Sequence, residues 1–337
     1  MLNTLNNISI ETIPTYFIKP YKNSYKAEWD LFISLAKNGT FLFQRDFMDY
    51  HNDRFTDASL FVYKKNQLIA VLPANIDANT LYSHKGLTYG GLLYSAKLKL
   101  NQVIGIYKCL LEYLKSIGIS SLQIKELPNI YQSSPNDEFK YVAFLLEAKL
   151  LRRDALSVID YGTSFKIASN RKEGVKKAEK QQLEIKEDLN FEGFWNEILI
   201  PNLNEKYQTN PVHSLAEITL LNKRFPNNIR QFNVYHNTVL VAGTTIFETD
   251  KVAHCQYISA YHDKNRLGSL DFLHYNLINN VFKDKAFYDF GISNENNGKN
   301  INGGLLFWKE GFGARTVTQD VYSINTDSSH LLNKVLI

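Results

Sequence analysis

His254 and Asp289 fall in the last third of a 337-residue chain and have the side-chain types that proton transfer requires. His254, Tyr257 and Tyr261 sit along one extended run, and a histidine titrates close enough to neutrality to act as a general base. Asp289 stands at the mouth of a short apolar run. A carboxylate partly desolvated at a strand end has a raised pKa and can take a proton directly or through water, although it can equally cap the following turn.

A second group of residues suits an anion. The run Ser259-Ala260-Tyr261 passes through His262-Asp263-Lys264-Asn265-Arg266-Leu267-Gly268-Ser269 into a helical pattern. A strand-to-helix turn exposes backbone N–H groups and the positive helix end, which together bind a diphosphate. Gly268 would let the main chain approach the phosphates, and Arg266 and Lys264 would add charge-assisted contacts. The plainer reading is an ordinary helix entry. In the first half, Phe41 to His51 followed by Asp53 and Arg54 mixes aromatic and ionisable groups in a way that suits a pocket wall. The plainer reading there is that Arg45 and Arg54 pair with Asp46, Asp49, Asp53 or Asp57.

The elements that must position these residues come in two copies. Val62-Tyr63-Lys64-Lys65-Asn66-Gln67-Leu68-Ile69-Ala70 recurs as Val234-Tyr235-His236-Asn237-Thr238-Val239-Leu240-Val241-Ala242, each reading as strand, polar turn and strand. A His-bearing extended run follows each copy (84–93 and 254–261), with His84 and His254 in matching places, and then come an amphipathic stretch and a short apolar run. The spacing predicts helices over 24–38, 97–117, 166–182, 190–208, 212–225, 267–282 and 302–311. It predicts strands over 58–64, 67–75, 86–93, 120–126, 156–161, 229–235, 238–248, 251–260, 286–291 and 315–324. The stretch 129–150 reads mainly as loop, the boundary between copies falls near 155, and 325–337 read as dispensable.

Composition narrows the classes. A hydrophobic content of 44% supports a sizeable core, and the net charge of +4 does not call for nucleic acid. Two cysteines, Cys109 and Cys255, are too few for a disulfide scaffold or a structural zinc site, so no metal is expected. No window approaches 18 continuous apolar residues, and 1–13 lack the pattern of a leader, so a cytoplasmic protein without membrane insertion is expected.

The repeated strand–strand–strand–turn–helix–strand unit resembles the GNAT acyltransferase fold, and Arg266-Leu267-Gly268-Ser269 is similar to that family's coenzyme A diphosphate loop. Three further patterns resemble the Fem-type (FemAB-like) peptidoglycan-bridge transferases and their acetyl-CoA-dependent relatives. They are Phe41-Leu42-Phe43-Gln44, the basic run 169–180, and Asp289-Phe290-Gly291-Ile292-Ser293 followed by Gly304-Leu305-Leu306-Phe307-Trp308-Lys309-Glu310-Gly311-Phe312-Gly313. The resemblance covers about residues 25 to 324.

It implies an α/β chain of two tandem GNAT-like domains, each a mixed, mostly antiparallel sheet flanked by helices. The first, 1–155, would serve the acceptor and the second, 156–337, the acyl donor. Acyl transfer to an amine needs a deprotonated nucleophile, a polarised carbonyl and support for an oxyanion. On the resemblance, the strand at Gln256 to Ser259 would splay from its neighbour and offer N–H groups to the carbonyl. Lys309 would stabilise developing charge, and Tyr257 or Tyr261 would protonate a leaving thiolate. Ser259, Arg266, Leu267, Gly268 and Ser269 would hold the donor, and Gln44, Arg45, His51, Arg54, His84 and Tyr89 the acceptor. The basic run 171–180 carries five cations, yet the long helical arm of tRNA-dependent Fem-type enzymes is absent. The expected activity is therefore acetyl or other acyl transfer from acyl-CoA to a small amine acceptor, such as a nucleotide-sugar or amino acid derivative. The alternatives are aminoacyl transfer from tRNA to a peptidoglycan precursor, and a non-catalytic ligand-binding protein.

Overall fold

A computed structural model describes residues 16–335 with the exception of Asp263. The expectations for 1–13 and for Asp263 itself lie outside the described residues.

The first half contributes β1 (Tyr16–Pro20), β2 (Thr56–Asp57), β3 (Leu60–Lys64), β4 (Gln67–Leu72), β5 (Asn75–Asp77), β6 (Thr80–Tyr82), β7 (Leu93–Tyr94), β8 (Ser121–Lys125) and β9 (Lys149–Asp160). The second contributes β10 (Leu183–Glu187), β11 (Ile229–His236), β12 (Val239–Glu248), β13 (Val252–Ala260), β14 (Phe287–Ile292), β15 (Asn294–Glu295), β16 (Asn300–Ile301) and β17 (Arg315–Asn325). An eleven-stranded sheet runs β10-β11-β12-β13-β14-β9-β17-β8-β6-β5-β2, and a four-stranded sheet runs β1-β3-β4-β7. Pairing is antiparallel except at β13–β14 and β6–β8. The architecture is thus the expected α/β tandem of mixed, mostly antiparallel sheets.

The sequence repeat is a repeat of backbone geometry. Val62 pairs with Ala70 and Tyr63 with Leu68, which leaves Ile69 as a bulge. Val234 pairs with Ala242 and Tyr235 with Leu240, which bulges Val241 in the same way. Lys65 and Asn237 open the two turns at φ 54° and 57°. A bulge bends its strand and sharpens the local twist, so both hairpins curve over a core in the same sense.

The halves exchange their last strands. β9 lies between β14 and β17, and β17 lies between β9 and β8, so each copy is completed by a strand from the other. The position 155/156 falls inside β9. An aromatic core seals the junction, with the Phe41 ring 5.5 Å from Phe225 and 5.8 Å from Phe247.

Several elements differ from expectation. The run 86–93 forms a strand only at Leu93–Tyr94, because the counterpart of β13 is broken into β6 and β7 by a loop. His84 sits in that loop at φ 77°, whereas His254 lies within β13, so the two do not occupy matching backbone positions. Glu138–Leu145 is a helix, with Phe139, Val142 and Ala143 buried. Residues 326–335 are integral: Thr326 and Leu332 are buried, and the Thr326 hydroxyl donates to the Ile119 carbonyl at 2.8 Å.

Candidate functional site

β13 and β14 run together for only three residue pairs, Val252 with Phe287, Ala253 with Tyr288 and His254 with Asp289, and then part. On its other edge β13 pairs Tyr257 with Thr245 and Cys255 with Ile246, so Gln256 is bulged. The splay leaves the segment after His254 without β14 partners, and the bulge leaves Gln256 without one on β12. A chamber of about 560 Å³ opens there between the halves. Its wall includes His254, Gln256, Gly291 and Lys309 from the second half and His51, Arg54, Lys85 and Lys125 from the first.

At the last rung, His254 Nδ1 lies 2.9 Å from Asp289 Oδ2. The same carboxylate oxygen accepts the Tyr131 hydroxyl at 2.7 Å, and Oδ1 accepts the Gly291 N–H at 2.7 Å. Burial alone would push Asp289 up, but His254 and these donors hold it below the usual carboxylate value. Asp289 is therefore the anion that orients His254, rather than a carboxyl raised to serve as the base. Gly291 has φ 72°, a left-handed turn that brings its N–H back to the carboxylate two residues earlier.

Lys309 is buried and donates to the carbonyls of Gly291 at 3.0 Å and Ile292 at 2.7 Å. Burial lowers its pKa to about 8, against the pull of Asp289 and Cys255. The motif around it packs as one aromatic cluster, with the Trp308 ring 5.6 Å from Phe290 and 5.3 Å from Phe312. The apolar residues of the motif therefore support the strand end, and its lysine reaches the chamber.

Tyr257 is not in the chamber wall. Its hydroxyl lies 2.7 Å from His213 Nδ1, and His213 is in the wall. Sequence spacing does not mark His213, which sits in a loop just before the helix Leu215–Arg224. The wall also holds Arg152, Asp154 and Gln319. They come from the exchanged strands β9 and β17, so only the strand exchange brings them to the site. Lys125 ends β8, and burial lowers its pKa to about 8. The wall carries the cations Arg54, Lys85, Lys125, Arg152 and Lys309, of which Arg54 pairs with Glu217, Lys85 with Asp77 at 2.6 Å, and Arg152 with Asp154, Nε to Oδ2 at 2.8 Å.

Of the expected acceptor residues, His51 and Arg54 line the chamber. Arg54 bridges the halves through Glu217. His51 is buried against Tyr50, with ring centroids 4.2 Å apart, and burial lowers its pKa to about 4. Arg45 is a correction. It is 1% exposed, paired with Asp49 at 2.5 Å and Asp57 at 3.1 Å, and stacked 3.9 Å over Tyr21, so it braces the first half. Gln44 precedes the short helix Arg45–Met48 and lies outside the chamber wall. His84 is buried behind His51, 5.0 Å between rings. Tyr89 is buried too, donating to Thr40 Oγ1 at 3.2 Å.

The expected diphosphate turn is also a correction. Gly268 has φ 69°, but a Cβ there would meet the Gly174 carbonyl oxygen at 2.0 Å. The helix Ser169–Lys180 lies across the turn, and Leu267 and Ser269 are wholly buried. The first turn of the following helix already holds a carboxylate, Asp271, which accepts from Arg171 Nη1 at 2.8 Å and Trp308 Nε1 at 2.9 Å. Helix Ser169–Lys180 thus packs on the turn, and Asp271 places a carboxylate in the helix's first turn, where the sequence reading expected a diphosphate. Arg266 is exposed. The Ser259 hydroxyl accepts from Asn202 Nδ2 at 2.8 Å. Among the described residues no group of three or more His, Cys, Asp or Glu is placed to share a metal ion. No described helix is long and apolar enough to cross a membrane.

Two GNAT-like halves with exchanged strands, and a splayed strand pair opening on a chamber between them, define a Fem-like tandem GNAT fold. FemX has this fold, matching 94% of the chain and 99% of its own length at TM-score 0.63 and 10% identity. So does the C-terminal domain of a putative lysylphosphatidylglycerol synthetase from Agrobacterium fabrum, over 92% and 96% of the two chains at TM-score 0.59 and 10% identity. A conserved protein of unknown function from Bacteroides thetaiotaomicron aligns over 91% and 99% at TM-score 0.57 and 10% identity. No family model and no curated protein sequence matches the chain.

Proposed function

We propose that the chain is an N-acyltransferase, moving an acyl group onto an amine held in the chamber between its halves. The observation that carries the reading is the His254–Asp289 rung, placed where β13 and β14 separate. With Nδ1 bound to the carboxylate, His254 has its lone pair at Nε2 and can take the proton of an attacking amine. Lys309 supplies a nearby positive charge for the developing oxyanion. The wall lysines Lys125 and Lys309, which stand outside the ion pairs of Arg54, Lys85 and Arg152, support an anionic acceptor, such as a nucleotide-sugar or amino acid derivative.

The donor proposed from the sequence is an acyl-CoA carrying an acetyl or similar group. Its diphosphate would have to lie away from the 266–269 turn. That covered turn favours a second donor class, the aminoacyl ester of a tRNA, which needs no diphosphate seat at this helix.

The test supplies the purified protein with acyl-CoA thioesters and, separately, with labelled aminoacyl-tRNAs, each with a panel of amino sugars, amino acids and UDP-MurNAc-peptide. Free thiol reads the first reaction and transfer of label the second. Turnover that falls at least about 100-fold in His254→Gln supports the reading. Absence of transfer from both donor classes overturns it.

A further inference from the structure

The chamber wall holds a second histidine whose proton position is set by its neighbours. His213 is 4% exposed and lies under Tyr50, with ring centroids 5.3 Å apart. Its ring is 5.9 Å from Phe247, the residue facing His254 across the β12–β13 ladder. Trp195 Nε1 donates to the His213 carbonyl at 3.0 Å and so fixes the backbone.

One phenol sets the ring. The Tyr257 hydroxyl accepts the His213 backbone N–H at 3.0 Å and lies 2.7 Å from His213 Nδ1. A backbone amide can only donate, so it occupies a lone pair of the phenol oxygen. The hydroxyl keeps one proton to give, and Nδ1 is the acceptor beside it. The opposite arrangement would direct two donors at one oxygen and send the phenol proton elsewhere. Burial, with His51 and Arg54 adding to it, lowers His213 to about 3, so the ring is neutral and carries a single proton. If Nδ1 accepts, that proton is on Nε2.

We infer that the chamber sets two histidines in opposite tautomers: Asp289 holds the His254 proton on Nδ1, so that the lone pair that acts as base is at Nε2, and His213 offers an N–H at Nε2 to the carbonyl oxygen of the acyl group. Asp289 and Tyr257 are the positioning residues that set the two states. The role assigned to the His213 N–H rests on the acyl-transfer reading, while the tautomers do not. In the step, the amine nitrogen gives its proton to His254 and bonds to the carbonyl carbon, and the C=O electron pair moves onto oxygen, where the His213 N–H receives it. Collapse of that intermediate breaks the bond to the donor's sulfur or oxygen, and the proton held on His254 passes to that leaving atom. A neutral donor of this kind polarises a carbonyl without adding a buried charge.

Long-range 1H–15N correlation spectra of the intact, histidine-labelled protein at pH 7 report both tautomers without any assay of turnover. The expected result is Nδ1–H for His254 and Nε2–H for His213, with the His213 ring turning to a tautomer mixture in Tyr257→Phe. A His213 ring that is Nδ1-protonated or charged overturns the inference and leaves the His254 base standing. In the transfer assay, His213→Ala is expected to lower kcat about 100-fold with little change in KM. His213→Gln, whose amide can place an N–H near the Nε2 position, is expected to recover at least about tenfold of that loss. Correct tautomers with unchanged kcat in His213→Ala would overturn the carbonyl contact. Absence of transfer in the unsubstituted protein would count against the proposed function and not against the tautomers.

Discussion

His254 and Asp289 form the last rung of a parallel ladder that then opens, and their side chains meet at 2.9 Å on the residues where the backbone separates. The strand pairing that sets the distance between the two residues also ends at them. The imidazole therefore has a rigid anchor on one side and the chamber on the other.

Replacing that anchor should act mainly on the rate. In Asp289→Asn the amide can still accept from Tyr131 or Gly291 but no longer carries the charge that orients a protonated imidazole. The transfer rate is expected to fall about 100-fold or more, as for loss of a positioned general base. Initial rates beside a thermal melt will separate this from a stability effect.

Lys309 should give the pH–rate profile an alkaline limb. Its pKa is lowered to about 8 by burial, so its charge is lost as pH rises through that value, and the rate should fall there if the charge supports the oxyanion. Lys125 titrates in the same range, and Lys125→Met should keep the limb if Lys309 causes it. The sign for stability is the reverse. Between about 8 and 10.5 the unfolded chain binds more protons at this group, so its contribution to stability improves as pH rises.

On the acid side, buried neutral histidines should make the fold sensitive. Burial lowers His51 to about 4, and His84, His213 and His274 to about 3. Below pH 6.5 the unfolded chain takes up protons that the folded chain refuses, so stability is lost as pH falls from 6.5 towards 4. Melting temperatures across that window will measure the slope, and His274→Gln should flatten it.

Gly268→Ala should destabilise the fold by roughly 2 kcal/mol or more, since it combines a left-handed backbone with a contact against the Gly174 carbonyl. Denaturant melts of the variant test whether this glycine serves packing. A variant of unchanged stability with a raised KM for an acyl-CoA would restore the diphosphate role.

Arg45→Ala should cost about 2–3 kcal/mol, because it empties the buried site of the guanidinium and leaves the half-buried Asp49 and Asp57 carboxylates without it. The KM for the acceptor is expected to hold, because Arg45 does not reach the chamber.

Much of the architecture is legible in the sequence. The copy of Val62–Ala70 at Val234–Ala242 carries its own turn and bulge, and local chain preferences fold both alike. The Asp289–Ser293 and Gly304–Gly313 patterns are readable for a related reason: a left-handed glycine and a run of aromatics state their backbone and packing needs within a few residues. The alternation along 252–260 likewise placed His254 on a strand.

Tertiary structure decided what those residues face. The Gly268 turn reads like a phosphate loop in isolation, and only the helix Ser169–Lys180, about a hundred residues earlier, shows that its glycine makes room for another backbone. Arg45 reads as a ligand-binding donor until Asp49 and Asp57 close on it. His213, Arg152, Asp154 and Gln319 come to the chamber through a loop and two exchanged strands. A short-range pattern can specify φ, ψ and a buried face, but contacts between residues distant in sequence depend on how whole elements pack. The chamber's chemistry is built from such contacts.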